Sequence, residues 1–150
     1  MTQKTKWQNR LDAIVSGEIE KPELVQIMRL PDLEAWAPGE VTTHWDVDPV
    51  FLAGGGSLFG GYIASLADQV LSHAAYTVLD DAAFIRTIHL DVEFYLPIKK
   101  GRLDILGKVT HQAKTRLHCE VSFAQDGQRM AQATGIQQIV LPKPQPPATA

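Results

Sequence analysis

Ala53-Gly54-Gly55-Gly56-Ser57-Leu58-Phe59-Gly60-Gly61 runs directly into Tyr62-Ile63-Ala64-Ser65-Leu66-Ala67-Asp68-Gln69-Val70-Leu71-Ser72-His73-Ala74-Ala75-Tyr76-Thr77-Val78. The first half is dense in glycine and reads as a loop. In the second half Ile63, Leu66, Ala67, Val70, Leu71, Ala74, Ala75 and Val78 recur every three or four residues, which predicts a helix. Its apolar face is wide, as in a helix packed deep in a fold. Everything else in the chain is arranged around this helix.

After it the periodicity changes to two. Phe84, Ile88, Leu90, Val92, Phe94 and Leu96 alternate with Thr87, His89, Asp91, Glu93 and Tyr95, so Thr87 falls on the polar face; Arg86 breaks the apolar series. Pro97 to Gly101 reads as a turn. Leu103, Ile105 and Val109 mark a second strand, and Leu117, Cys119, Val121 and Phe123 a third. Asp126-Gly127 is a hairpin signal before a last, less regular strand over 128–141. Before the loop, Val41, Thr43, Trp45 and Val47 alternate with Thr42, His44, Asp46 and Asp48 as another strand. Residues 1–39 read as a helical, amphipathic extension. Trp7, Leu11, Ile14 and Val15 lie on one face, Ser16-Gly17 interrupts, and a short helix from Pro22 carries Leu24, Ile27 and Met28. Residues 142–150, rich in proline, read as a disordered tail. Strands run together after one helix indicate an α+β fold with an antiparallel sheet, here over 40–141.

At 150 residues the chain has the length of one domain. Its apolar share of 45% and charged share of 21% are those of a globular protein that buries a core without disulfides or metals. A net charge of −3 without a basic run argues against nucleic acid as a partner. Met1 to Arg10 lacks the apolar stretch of a signal peptide. The apolar stretch Leu58–Leu79 is broken by Asp68, Gln69, Ser72 and His73, which makes it a poor membrane span. A cytoplasmic location and no membrane partner are the expectation.

Asp68 is the first candidate for chemistry. An aspartate in mid-helix among Leu66, Ala67, Val70 and Leu71 is locally unfavourable. Ser65 and Ser72 share its stripe of the helix. Such a carboxylate can serve as a general base or a nucleophile; a solvated stripe or a structural hydrogen bond is the alternative. Gly60 and Gly61 stand at the start of the helix, where free amides and the positive end of the dipole suit an oxyanion. A tight strand-to-helix connection is the other explanation. The loop lacks the Lys-Ser/Thr ending of a P-loop, and Ser57 lacks the Gly-x-Ser-x-Gly context of a hydrolase elbow. His44, His73, His89, His111 and His118 show no metal-site spacing, and the single Cys119 offers no thiolate cluster, so no metal or cofactor is called for. Lys99, Lys100 and Arg102 flank one turn and Lys114 and Arg116 the next. Most read as solvated hairpin ends, although some can pair with phosphates.

The segment Gly56-Ser57-Leu58-Phe59-Gly60-Gly61 followed by Asp68, the strand Thr87-Ile88-His89-Leu90-Asp91-Val92-Glu93-Phe94-Tyr95-Leu96-Pro97, and the three strands after it resemble the hotdog-fold acyl-CoA thioesterases. The branch with the phenylacetate-pathway thioesterases is the most similar, and the resemblance spans about residues 40–141. It implies a five- to six-stranded antiparallel sheet wrapped around a long central helix, and hydrolysis of acyl-CoA thioesters. Asp68 would be the base or nucleophile, and the Gly60 amide, or that of Gly61, would polarise the thioester carbonyl. Thr87 would lie near the attacking water, with Ser72 as a further polar group. Phe59, Tyr62, Phe51 and Gly56 are the substrate-contacting candidates, core packing being the alternative for the aromatic residues. The family builds its site between subunits, which implies a homodimer or a homotetramer formed as a dimer of dimers.

Two positions depart from the family pattern. Phe59 stands where phenylacetate-type enzymes usually carry His, and Ala53 stands where many members carry Asn. Ala53 motivates a second reading, a non-catalytic acyl-ligand binding protein. Asp68 followed by His73 resembles the Asp-x-x-x-x-His pattern of hotdog hydratases and dehydratases, a third reading.

Overall fold

A computed structural model describes residues 3–143. Helix α1 (Lys6–Ser16) and the short helix α2 (Glu23–Ile27) are followed by strands β1 (Ala35–Ala37) and β2 (Glu40–Asp46). Next come the long helix α3 (Gly60–Tyr76) and strands β3 (Phe84–Phe94), β4 (Arg102–Gln112), β5 (Arg116–Gln125) and β6 (Gln128–Val140). The six strands form one antiparallel sheet in the order β1-β2-β4-β5-β6-β3. Helix α3 lies across one face of it. Six strands around one long helix is the hotdog arrangement.

Packing explains why α3 sits where it does. Leu66, Val70 and Leu71 of the helix are fully buried, as are Leu103, Ile105, Leu117, Val121 and Phe123 of the sheet. The helix comes closest over two strand glycines. A Cβ on Gly107 would lie 2.6 Å from Val70 Cγ1, and one on Gly135 would lie 2.6 Å from Leu71 Cδ1. Both distances are far inside van der Waals contact, so these glycines let the helix rest on the sheet backbone.

Strand β3 differs from its simple alternation. Its register with β6 passes from Thr87 opposite Gln137 to His89 opposite Ile136, which leaves Ile88 as an extra residue. This β-bulge reverses the phase of the strand. Ile85 before it and Leu90 and Val92 after it all pack against the core. Ile88 is 44% exposed and Phe94 55%. Thr87, placed on the outer polar face by the alternation, therefore turns inward towards α3.

The N-terminal segment also departs in part from a helical extension. Thr5 closes a capping box on α1, and Gly17 ends it with φ of 74°. Trp7 stacks on Tyr76 at 4.7 Å and donates its indole N–H to the Ala83 carbonyl. Helix α2 packs through Val25 and Met28 while Leu24 and Ile27 stay exposed, because five residues bury only one side. Ala35–Ala37 is not helical: it pairs with β2 as the outermost strand, too short to show a period. Residues 144–150 of the expected tail lie outside the described residues.

The seating of α3 predicts that Gly107→Ala lowers stability by about 1–3 kcal/mol. Denaturant unfolding measures this; an unchanged midpoint would mean that the helix is not held against β4.

Candidate active site

Asp68 lies on the exposed flank of α3, and its carboxylate is held from the sheet. Thr87 donates its hydroxyl to Asp68 Oδ1 at 2.7 Å. Gln137, fully buried on β6, donates its Nε2 to Thr87 Oγ1 at 3.0 Å. The chain Gln137–Thr87–Asp68 runs from the core to the surface and fixes one carboxylate oxygen. The bulge makes it possible, since Thr87 points inward only because Ile88 is extra. Ser65 and Ser72 share the stripe but do not touch the carboxylate. Their hydroxyls bond back to the Gly61 and Asp68 carbonyls at 3.0 and 2.9 Å. Gln137 had no signal in the sequence, being a glutamine in a weakly alternating strand.

Gly60 and Gly61 are the first two residues of α3, and their amides have no carbonyl partner among the described residues. The loop before them is tied down on both sides. Ala53 N–H bonds to the Ser57 carbonyl, Leu58 N–H to that of Ile98, and Phe59 N–H to that of Phe51. Gly56 closes the loop with φ of 77°, which favours glycine. The Phe94 ring lies over Gly60 and the Phe59 ring over Gly61. Gly60 opens onto a groove of about 370 Å³ that Ser57, Ile63, Phe94 and Leu96 also line. Phe59 itself is 62% exposed. Tyr62 and Phe51 are elsewhere: their rings stack at 4.0 Å, and the Tyr62 hydroxyl donates to the Met28 carbonyl. Tyr62 is buried in this packing.

The helix keeps these two candidate groups apart. Eight residues separate Gly60 from Asp68, a rise of about 12 Å. A reacting carbonyl needs the amide within about 3 Å and the acid in reach directly or through one water, so one chain cannot supply both to the same atom. Strand β3, which carries Thr87, is a long open edge of the sheet, with Phe84, Ile88 and Phe94 exposed along it.

Of the remaining titratable groups, His73 is strongly perturbed. Burial pushes its pKa down from 6.5 to about 4, the nearby Arg10 charge adds to this, and Asp32 opposes it. His73 faces the N-terminal segment rather than Thr87, so it forms no pair with Asp68. Burial pushes the Cys119 thiol up to about 12, which suits an inert core residue. Among the described residues no cluster of His, Cys, Asp and Glu could hold a metal ion, and no helix is long and apolar enough to cross a membrane.

The thioesterase superfamily model matches residues 55–131, from the glycine loop to the start of β6. A Saccharolobus solfataricus protein named as an esterase is 38% identical over 96 residues, 63% of this chain and 68% of that protein. A solved structure from Ralstonia eutropha JMP134, named as a phenylacetic acid degradation-related thioesterase, superposes with a TM-score of 0.77. It is 21% identical, covering 85% of this chain and 98% of the other. A Streptococcus mutans UA159 protein solved with acetyl CoA gives a TM-score of 0.70 at 24% identity, covering 83% and 94%.

The His73 shift carries a pH signature. Unfolded, the ring binds a proton near pH 6.5; folded, only near 4. The unfolded state therefore holds more protons between these values, and stability rises with pH across that window. Melting temperature should fall as pH drops from 6.5 to 4, and His73→Gln should flatten that fall. An identical profile in the variant would mean that the ring is not desolvated.

Proposed function

Since the chain belongs to the thioesterase superfamily, we propose that it hydrolyses acyl-CoA thioesters at a site shared between two copies of the chain. The observation that carries this reading is the Thr87 hydroxyl held on Asp68, with the second carboxylate oxygen left for chemistry. Asp68 takes a proton from water as the water attacks the thioester carbonyl, or attacks the carbonyl itself. The Gly60 amide of the second copy donates a hydrogen bond to the developing oxyanion, aided by the helix dipole. Collapse of the intermediate breaks the C–S bond. When Asp68 is the base, the thiol of coenzyme A leaves with the proton that Asp68 holds and the acid remains. When Asp68 is the nucleophile, the thiolate leaves, and water then hydrolyses the acyl-Asp68 anhydride, supplying the thiol's proton and releasing the acid. Ala53 contributes no side-chain hydrogen bond to this step, which leaves the helix-start amides as the donors.

The open edge of β3 supports the pairing. Two β3 edges side by side would cover Ile88 and join the sheets, and would bring one copy's α3 start towards the other's Asp68. The groove at Gly60 continues through Leu96 and Pro97 into a second, of about 480 Å³, lined by Lys99, Lys100 and Arg102. Arg102 is paired with Asp104, whereas Lys99 and Lys100 make no ion pair among the described residues. We assign the coenzyme A phosphates to these two lysines. The acetyl CoA bound to the S. mutans protein is consistent with that ligand class. The hydratase reading loses support because Asp68 and His73 face different surroundings.

Asp68→Asn should lower kcat for acyl-CoA hydrolysis by about a hundredfold or more, with the melting temperature unchanged. Thr87→Val should cost about tenfold in kcat with little change in KM, the loss of one hydrogen bond. Release of free thiol measures both. Undiminished turnover in Asp68→Asn would end the catalytic assignment; acyl-CoA binding without turnover in the native protein would favour a binding module.

A further inference from the structure

A third cavity lies on the other flank of α3, walled by the N-terminal segment. It measures about 310 Å³ and is bounded by Ile14, Ile19, Val25 and Pro31 on one side and Gln69, Ser72, His73 and Tyr76 on the other. That volume is in the range of small-molecule sites, and the walls are mostly apolar. Ser72 places it beside the acid: it lines the cavity one turn beyond Asp68 and donates its hydroxyl to the Asp68 backbone carbonyl. Resting on the thioesterase reading, we propose that this cavity receives the acyl group, and that it is shaped for an apolar chain ending in an uncharged hydroxyl.

Three observations point to that class. The His73 ring has Tyr76 beside it at 6.5 Å and no hydrogen-bond partner among the described residues, so an imidazole nitrogen is left for a ligand. Its desolvated, neutral state lets it accept as well as donate. Gln69, next to it, donates Nε2 to the Pro31 carbonyl while its Oε1 is buried without a partner. An unpaired buried polar atom is costly, and a small adjustment towards a ligand hydroxyl would satisfy it. The charged residues at the cavity are Arg10 and Lys21 against Glu20 and Asp32, with Lys21 bonded to Asp32 at 2.9 Å. Two cations face two anions, so no net field draws in a charged chain end. Length agrees as well. His73 lies five residues beyond Asp68, a rise of about 7.5 Å with about 140° of turn, so a chain of at least about six carbons is needed to reach it.

The test compares acetyl-, hexanoyl- and 6-hydroxyhexanoyl-CoA with the CoA thioester of a six-carbon dicarboxylic acid. The hydroxylated chain should have a kcat/KM about tenfold above hexanoyl, and the carboxylate-ended chain should be the poorest of the three long substrates. His73→Leu should bring the hydroxyhexanoyl-to-hexanoyl ratio close to one. Val25→Trp, or Ile14→Phe if that variant fails to fold, should lower the hexanoyl-to-acetyl ratio by tenfold or more. Unchanged ratios in folded variants would overturn the cavity assignment while leaving thioester hydrolysis intact. If no thioester is hydrolysed at all, an NMR titration with hexan-1-ol decides independently. Shifts of the His73 ring signals in the native protein, absent in Val25→Trp, would support the cavity, and their absence in both would overturn it.

Discussion

The hydroxyl of Thr87 meets the carboxylate of Asp68 because strand β3 carries one residue more than its neighbour. Without that bulge at Ile88, Thr87 would point away from α3 and Asp68 would be a mobile surface side chain. Gln137 makes the contact rigid by holding Thr87 from inside the core, where its own amide has been withdrawn from water. A buried glutamine must be paired, and the pairing is used here to transmit the order of the sheet to an exposed acid. The glycines beneath α3 complete the frame. They set the helix at backbone distance from the strands, so the acid and its anchor keep a fixed separation.

The length of that same helix sets the architecture of the proposed site. A helix start offers free amides and a positive dipole end, and mid-helix offers a carboxylate held from the sheet. About 12 Å of helical rise divides them. Two copies related by a two-fold axis through the β3 edge would bring unlike ends together and form two equal sites. The apolar side chains left on that edge, Ile88 and Phe94, suit burial in such a contact. The N-terminal helices take no part in this geometry. They wall the other flank of α3, where the residues one and two turns beyond Asp68 line a cavity.

Much of this was legible in the residues. The period of α3, the strands after it, the turn at Asp126-Gly127 and the glycine loop are strong local signals, and the structure follows them closely. Mid-helix Asp68 also announced itself, because an acid among leucines and alanines is locally unfavourable. The facing of Thr87 was not legible. A bulge is a mismatch between two strands, and neither strand alone records it. Gln137 was hidden for a related reason: its burial follows from its place opposite Thr87, not from its own chemistry. Ala35–Ala37 is too short for any period, and Tyr62 and Phe51 look alike whether they line a pocket or, as here, stack on each other against the core.

The two-copy site can be tested by complementation. Asp68→Asn removes the acid, and Gly60→Pro removes the amide N–H at a first-turn position that tolerates proline. Each variant alone should be inactive towards acyl-CoA. Co-expressed, they form mixed dimers in which one of the two sites has both its acid and its amide. The mixed dimer, isolated with two different tags, should regain about half of the native thiol-release rate. Mixed dimers as inactive as their parents, with both variants folded, would contradict a site in which one copy's Asp68 works with the other's Gly60.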